Sequence, residues 1–66
     1  MKVNVLKAKI VEQGKKMENV SQYIGINRST LSRKLNEKQE FTLSELTNLS
    51  KYLNLSNNEI INIFFD

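Results

Sequence analysis

Residues 17–36, M-E-N-V-S-Q-Y-I-G-I-N-R-S-T-L-S-R-K-L-N, constrain this chain more than any other stretch. Val20 and Ile24 are four apart and share one face of a helix. Gly25 ends that helix, because a residue without Cβ enters the left-handed region at little cost. Ile26 is an apolar plug for the turn. Asn27 is placed to cap the next helix through its side-chain oxygen. Leu31 and Leu35 give that second helix an apolar underside. With Leu31 at 0° and about 100° per residue, Ser29, Thr30, Ser32, Arg33 and Asn36 fall between about 100° and 260°. Their face is polar, carries one Arg and holds no carboxylate, and Arg28 projects beside it. Short hydroxyls let a helix approach a surface closely, and Arg reaches base edges and phosphates. The stretch therefore specifies a short helix, a sharp turn and a second short helix with a polar outer face.

These residues resemble the helix-turn-helix of the lambda-repressor-like family, the XRE or Cro type. G-I-N-R-S-T-L-S-R matches the family's pattern of Gly, an apolar residue, a Ser or Asn cap and a recognition helix with an aliphatic anchor; Val20, Ser21, Ile24 and Leu35 carry the rest. Two positions depart from it. Ser21 stands where the family usually has Ala, and its hydroxyl is expected to bond back to the Met17 carbonyl. Met17 stands where the family often places a Gln that holds a backbone phosphate.

The resemblance implies an all-α, compact five-helix domain spanning residues 1–66, with the helix-turn-helix at helices two and three. It implies double-stranded DNA as the partner and the role of a small Cro-like repressor, resembling those of temperate phages. Such a protein works in the cytoplasm of a bacterial host cell, at the nucleoid. It also implies base contacts from Asn27, Arg28, Ser29, Ser32 and Arg33. The phosphate contacts it implies fall to Lys15, Lys16 and Met17 at the start of helix two, Lys34 from the side, and Lys38 and Gln39 in the loop that follows.

Charge and composition agree. The net charge is +3, unevenly spread. Residues 1–38 carry nine Lys or Arg against three Glu, net +6; residues 39–66 carry one Lys against four acidic residues, net −3. A basic half joined to an acidic half suits one face for a polyanion and another turned away. Lys15 and Lys16 precede a helix start, where free N–H groups already favour anions. The chain has no Cys and no His, which removes the disulfide, the commonest metal ligands and the usual triads. Sixty-six residues are near the lower edge of what one core stabilises, and too few to enclose a catalytic pocket. No enzyme, cofactor or metal is expected. No stretch is long and apolar enough to span a membrane, and M-K-V-N-V-L-K-A-K lacks the apolar core of a signal peptide.

Helical periodicity runs through the whole chain. Helix one is expected from Val3 or Val5 to Gln13, capped by Asn4, with Val3, Leu6 and Ile10 as its stripe and Gly14 as its stop. Helix three is expected over residues 28–37, and residues 36–42 form a loop closed by Phe41. Helix four opens on a capping box, Thr42 with Glu45, and helix five on another, Ser56 with Glu59. Leu43, Leu46, Leu49 and Leu53 are the expected core of helix four. In the C-terminal helix, over residues 56–65, the apolar side chains cover an arc of about 200°, twice what one core face needs. Ile61, Phe64 and Phe65 are therefore candidates for a homodimer contact. The alternative is a terminus folded back onto helix one.

The leading expectation is a sequence-specific DNA-binding repressor. The runner-up is a helix-turn-helix interaction protein that binds and modulates another regulator. Glu18, Glu37 and Glu40 around the expected DNA face, together with the apolar tail, are what such a modulator would use.

Overall fold

In a computed structural model, which describes residues 1–65, the chain is all-α. The elements are α1 (Val3–Glu12), α2 (Met17–Ile24), α3 (Arg28–Leu35), α4 (Leu43–Tyr52) and α5 (Asn57–Phe64), with no strand among the described residues. Asp66, counted above in the acidic half, lies outside them.

The expected stripes meet in one core. Val3, Leu6 and Ile10 come from α1, Val20 and Ile24 from α2, Leu31 and Leu35 from α3. Leu49 and Leu53 enter from α4 and its end, and Ile63 and Phe64 from α5. Each fully buried aliphatic side chain is worth about 1.5–3 kcal/mol. α2 packs on both α3 and α4, while α1 lies against α5. Phe41 is half-buried against this core and closes the α3–α4 loop.

Leu43 does not join the core; it is 72% exposed. The wheel explains why. With Leu43 at 0°, Leu49 falls near 240° and Leu53 near 280°, so the buried direction is about 260°. Leu43 is about 100° away from that direction, whereas Glu45, near 200°, is closer and is buried.

Helices α1 to α4 end in the same way. Gly14, Gly25, Glu37 and Asn54 have φ of 64°, 81°, 60° and 52°. In each case the next N–H donates five residues back: Lys15 to Ile10 at 3.0 Å, Ile26 to Ser21 at 3.0 Å, Lys38 to Arg33 at 2.9 Å and Leu55 to Ser50 at 2.9 Å. These turns satisfy carbonyls that a helix end leaves open. At Gly25 a Cβ would meet nothing within 4 Å, so only the positive φ calls for glycine there.

Both expected capping boxes form. The Glu45 N–H donates to Thr42 Oγ1 at 3.2 Å and the Thr42 N–H to Glu45 Oε1 at 2.9 Å; Ser56 and Glu59 repeat the pair at 3.2 and 2.9 Å. Three other local expectations are corrected. Asn4 lies inside α1 and caps nothing; Lys2 holds the N-cap position, and its N–H donates to the Ile63 carbonyl at 2.7 Å, joining α1 to α5. Ser21 donates to the Glu18 carbonyl at 2.9 Å rather than to Met17, three residues back instead of four. Asn27 holds the N-cap position of α3 in extended backbone but makes no side-chain cap bond.

Lys9 of α1 pairs with Glu59 of α5. The Lys9 ammonium and then the Ser56 N–H hold the Glu59 carboxyl down at about 2. Burial pushes Glu45 up, but its bonds from Lys34 and Thr42 outweigh that, and its carboxyl also ends below the ordinary 4.5. A carboxyl depressed by folding contributes stability above its unfolded value and loses it as pH falls towards the folded one. The melting temperature is therefore expected to fall as pH drops from about 4.5 towards about 2. Thermal scans of Glu59→Gln should show a shallower fall; an equally steep one would assign the acid sensitivity elsewhere.

Candidate nucleic-acid interface

The outer face of α3 is formed as its sequence specifies. Leu31 and Leu35 are buried beneath it, while Arg28, Ser29, Ser32 and Arg33 are exposed, with Asn27 exposed just before them. Nη2 of Arg33 donates to Thr30 Oγ1 at 3.2 Å, one turn back, which holds the guanidinium along the helix. The buried hydroxyl of Ser21 is the small residue α2 presents on its packed side, and α2 lies directly against α3. α3 is thus carried by α2, with its polar face turned outward.

The flanking cations have different surroundings. Lys16 is exposed at the N-cap of α2, where no side chain caps the helix. Lys15 is half-buried, with its Nζ 4.5 Å from the centroid of the Tyr52 ring; Tyr52 in turn stacks on Tyr23 at 4.6 Å between centroids. Cation–π attraction of this kind gives the lysine a preferred position. Met17 is half-buried and packs against the core. Lys38 and Gln39 are exposed in the loop after α3, between the exposed Glu37 and Glu40.

Lys34 is a correction. It was expected to reach phosphate from the side of α3, but it is only 5% exposed. Its Nζ donates to Glu45 Oε1 at 2.5 Å and lies 5.9 Å from the centroid of Phe41. The lysine is committed to the protein interior, where it joins the end of α3 to the cap of α4. The sequence held one sign of this. Lys34 falls near 300° on the α3 wheel, about as close to Leu31 as Leu35 is on the other side.

Phe64 is the second correction. Expected at a dimer contact, it is 8% exposed and part of the core. The wide apolar arc of α5 divides in two. Ile63 and Phe64 face inward, while Ile61 and Phe65 are 59% and 68% exposed. The ring of Phe65 meets Phe64 edge to face, 6.5 Å between centroids.

One neighbour of α3 was missed. Nζ of Lys7, on α1, donates to Oδ1 of Asn36 at 3.1 Å. Lys7 lies outside the Val3, Leu6 and Ile10 stripe of α1. Only the crossing of α1 beside the end of α3 brings the two residues together.

No helix among the described residues is long and apolar enough to cross a membrane. No curated protein and no solved structure matched the chain. A family model described as the Cro/C1-type HTH DNA-binding domain matches residues 5–66. All five helices fall wholly or almost wholly within that span. The chain therefore belongs to the family of Cro/C1-type HTH DNA-binding domains, the fold of a DNA-binding regulator.

Proposed function

We propose that this protein is a sequence-specific repressor that binds an operator as a homodimer, with α3 in the major groove of each half-site. The observation that carries this reading is the outer face of α3. Arg28, Ser29, Ser32 and Arg33 are exposed there together, and the helix carries no carboxylate. Arg offers two parallel donors to O6 and N7 of guanine, and hydroxyls serve at close approach. Asn27 stands at the same edge. Lys15, Lys16 and the backbone N–H of Met17 at the start of α2, with Lys38 and Gln39 after α3, hold phosphates on either side of the groove. Binding at a promoter blocks polymerase in the bacterial cytoplasm, at the nucleoid. This is a binding role, with no catalysis.

The test is selection from a random-sequence duplex library, followed by titration of the enriched site over a salt series. The expected site is pseudo-palindromic with half-sites about 34 Å apart. It should bind at least about a thousandfold more tightly than random duplex. Equal affinity for both duplexes at every salt concentration would overturn the reading.

The exposed Ile61 and Phe65 supply the dimer contact, beside a Phe64 that braces them from the core. Phe65→Asp is expected to weaken self-association and operator affinity while helicity is unchanged. Sedimentation and circular dichroism check the two halves. A wild type that is monomeric at high concentration would remove the tail from the interface.

One observation favours a second reading, in which the chain binds another regulator. Glu18, Glu37 and Glu40 are exposed around the cationic positions, and carboxylates there oppose phosphate. Such a modulator would keep the fold and lose DNA affinity.

A further inference from the structure

Lys7 belongs to α1, outside the helix-turn-helix, yet its Nζ donates to Oδ1 of Asn36 at 3.1 Å. Chemistry fixes the direction of that bond. An ammonium has three donors and no acceptor, so the Asn36 atom facing it is the carbonyl oxygen. Nδ2 is then turned away, 3.5 Å from Oγ of Ser32. A hydroxyl that accepts keeps its O–H for donation. The row Lys7, Asn36, Ser32 thus engages one lone pair on each oxygen internally and leaves donors over. Asn36 and Ser32 are both exposed, on the face of α3 that carries Arg33.

A free Asn amide reads adenine by accepting from N6 and donating to N7. Asn36 is not free in this sense. Its Oδ1 has a second lone pair, but an adenine amino group approaching it would meet the Lys7 ammonium, donor against donor. Its Nδ2 carries no such restriction. A lone donor suits an acceptor edge: O6 or N7 of guanine, or O4 of thymine.

We propose that Lys7 is a positioning residue that sets base preference through Asn36, making this end of the recognition face a donor directed at guanine or thymine and set against adenine. The inference rests on the proposed reading of DNA by α3. It assigns a specificity role to a residue on α1 that touches no base itself.

The test is selection from the random duplex library with the wild type, Asn36→Ala, Lys7→Met, Lys7→Ala and Lys7→Arg. Asn36→Ala identifies the base position that Asn36 reads. At that position the wild type is expected to enrich guanine or thymine. Lys7→Met and Lys7→Ala should shift that one position towards adenine by roughly tenfold, and Lys7→Arg should keep the wild-type preference. Lys7 is only half-buried, and Met and Ala are strong helix formers, so either variant serves once circular dichroism confirms its helicity. Four results would overturn the inference: adenine enriched there by the wild type, no position altered by Asn36→Ala, unchanged preferences in both Lys7 variants, or a uniform loss of affinity with a shallower salt slope. The last would make Lys7 a phosphate contact. A wild type that enriches no site at all would overturn the DNA-reading role itself, which separates the two failures.

Discussion

Lys34→Ala is expected to destabilise the folded protein by about 3–5 kcal/mol, a cost set by the group it leaves behind. Glu45 is buried and accepts from Lys34 Nζ at 2.5 Å and from the Thr42 N–H at 2.9 Å. Without the lysine, a carboxylate stays in the interior with one backbone donor. Domains have a total stability of about 5–15 kcal/mol, and one this small is near the lower end, so the loss takes much of what there is. Lys34→Met with Glu45→Gln should restore most of it. Gln keeps the capping box, and an uncharged pair carries no desolvation cost of this size. Urea unfolding followed by helicity checks both, read from the midpoint at constant slope. A Lys34→Ala midpoint within error of wild type would show that the pair is open to water in solution.

Arg33→Ala is expected to remove about 1–3 kcal/mol of binding at each half-site, and so about 2–6 kcal/mol for a dimer on its operator. The protein should stay folded, because Arg33 is exposed and its side chain bonds only Thr30 among the described residues. Arg33→Lys should recover little, since an ammonium is a point charge and offers no parallel pair of donors. Titration of labelled operator and of random duplex at one fixed salt concentration gives the measurement. A loss equal on both duplexes would make Arg33 a phosphate contact. Under the second reading, Arg33→Ala would leave binding to a regulator intact.

The sequence made the fold largely legible because local and global preferences agree along it. The spacings of Leu6 and Ile10, Val20 and Ile24, and Leu31 and Leu35 each define a face, and all of these residues are in the core. The hydroxyl-and-Glu pairs at Thr42 and Ser56 mark helix starts through bonds that need only four residues. What the sequence hid depends on long-range packing. Nothing local brings Lys34 to Glu45 or Lys7 to Asn36; those meetings require the helices to be in place. A lysine was read as a surface cation because most are, and Lys34 is the exception because a buried acceptor waits for it. Helix three was expected to run to Glu37 but stops at Leu35, and the left-handed turn at Glu37 was not foreseen because Glu has no preference for positive φ. For the candidate interface, the polar face of α3 could be read from the wheel. The setting of its flanks, with Lys15 on Tyr52 and Met17 against the core, could not.

The turn at Glu37 also bears on how such a protein would search a chromosome. The backbone there has φ of 60°, a conformation that glycine adopts more easily. The chain keeps a carboxylate at that point, in the loop beside Lys38, with Glu40 close behind. Under the proposed function, these charges lower affinity for every duplex, operator and random alike. Lowering both alike leaves unchanged the ratio between right and wrong that governs occupancy, but it shortens each stay at the millions of wrong sites. Weak general attraction leaves more of the total binding to Arg28, Arg33 and the short side chains between them. Glu37 and its neighbours then act as a brake on lingering at wrong sequences, and the time saved there is available for finding the operator.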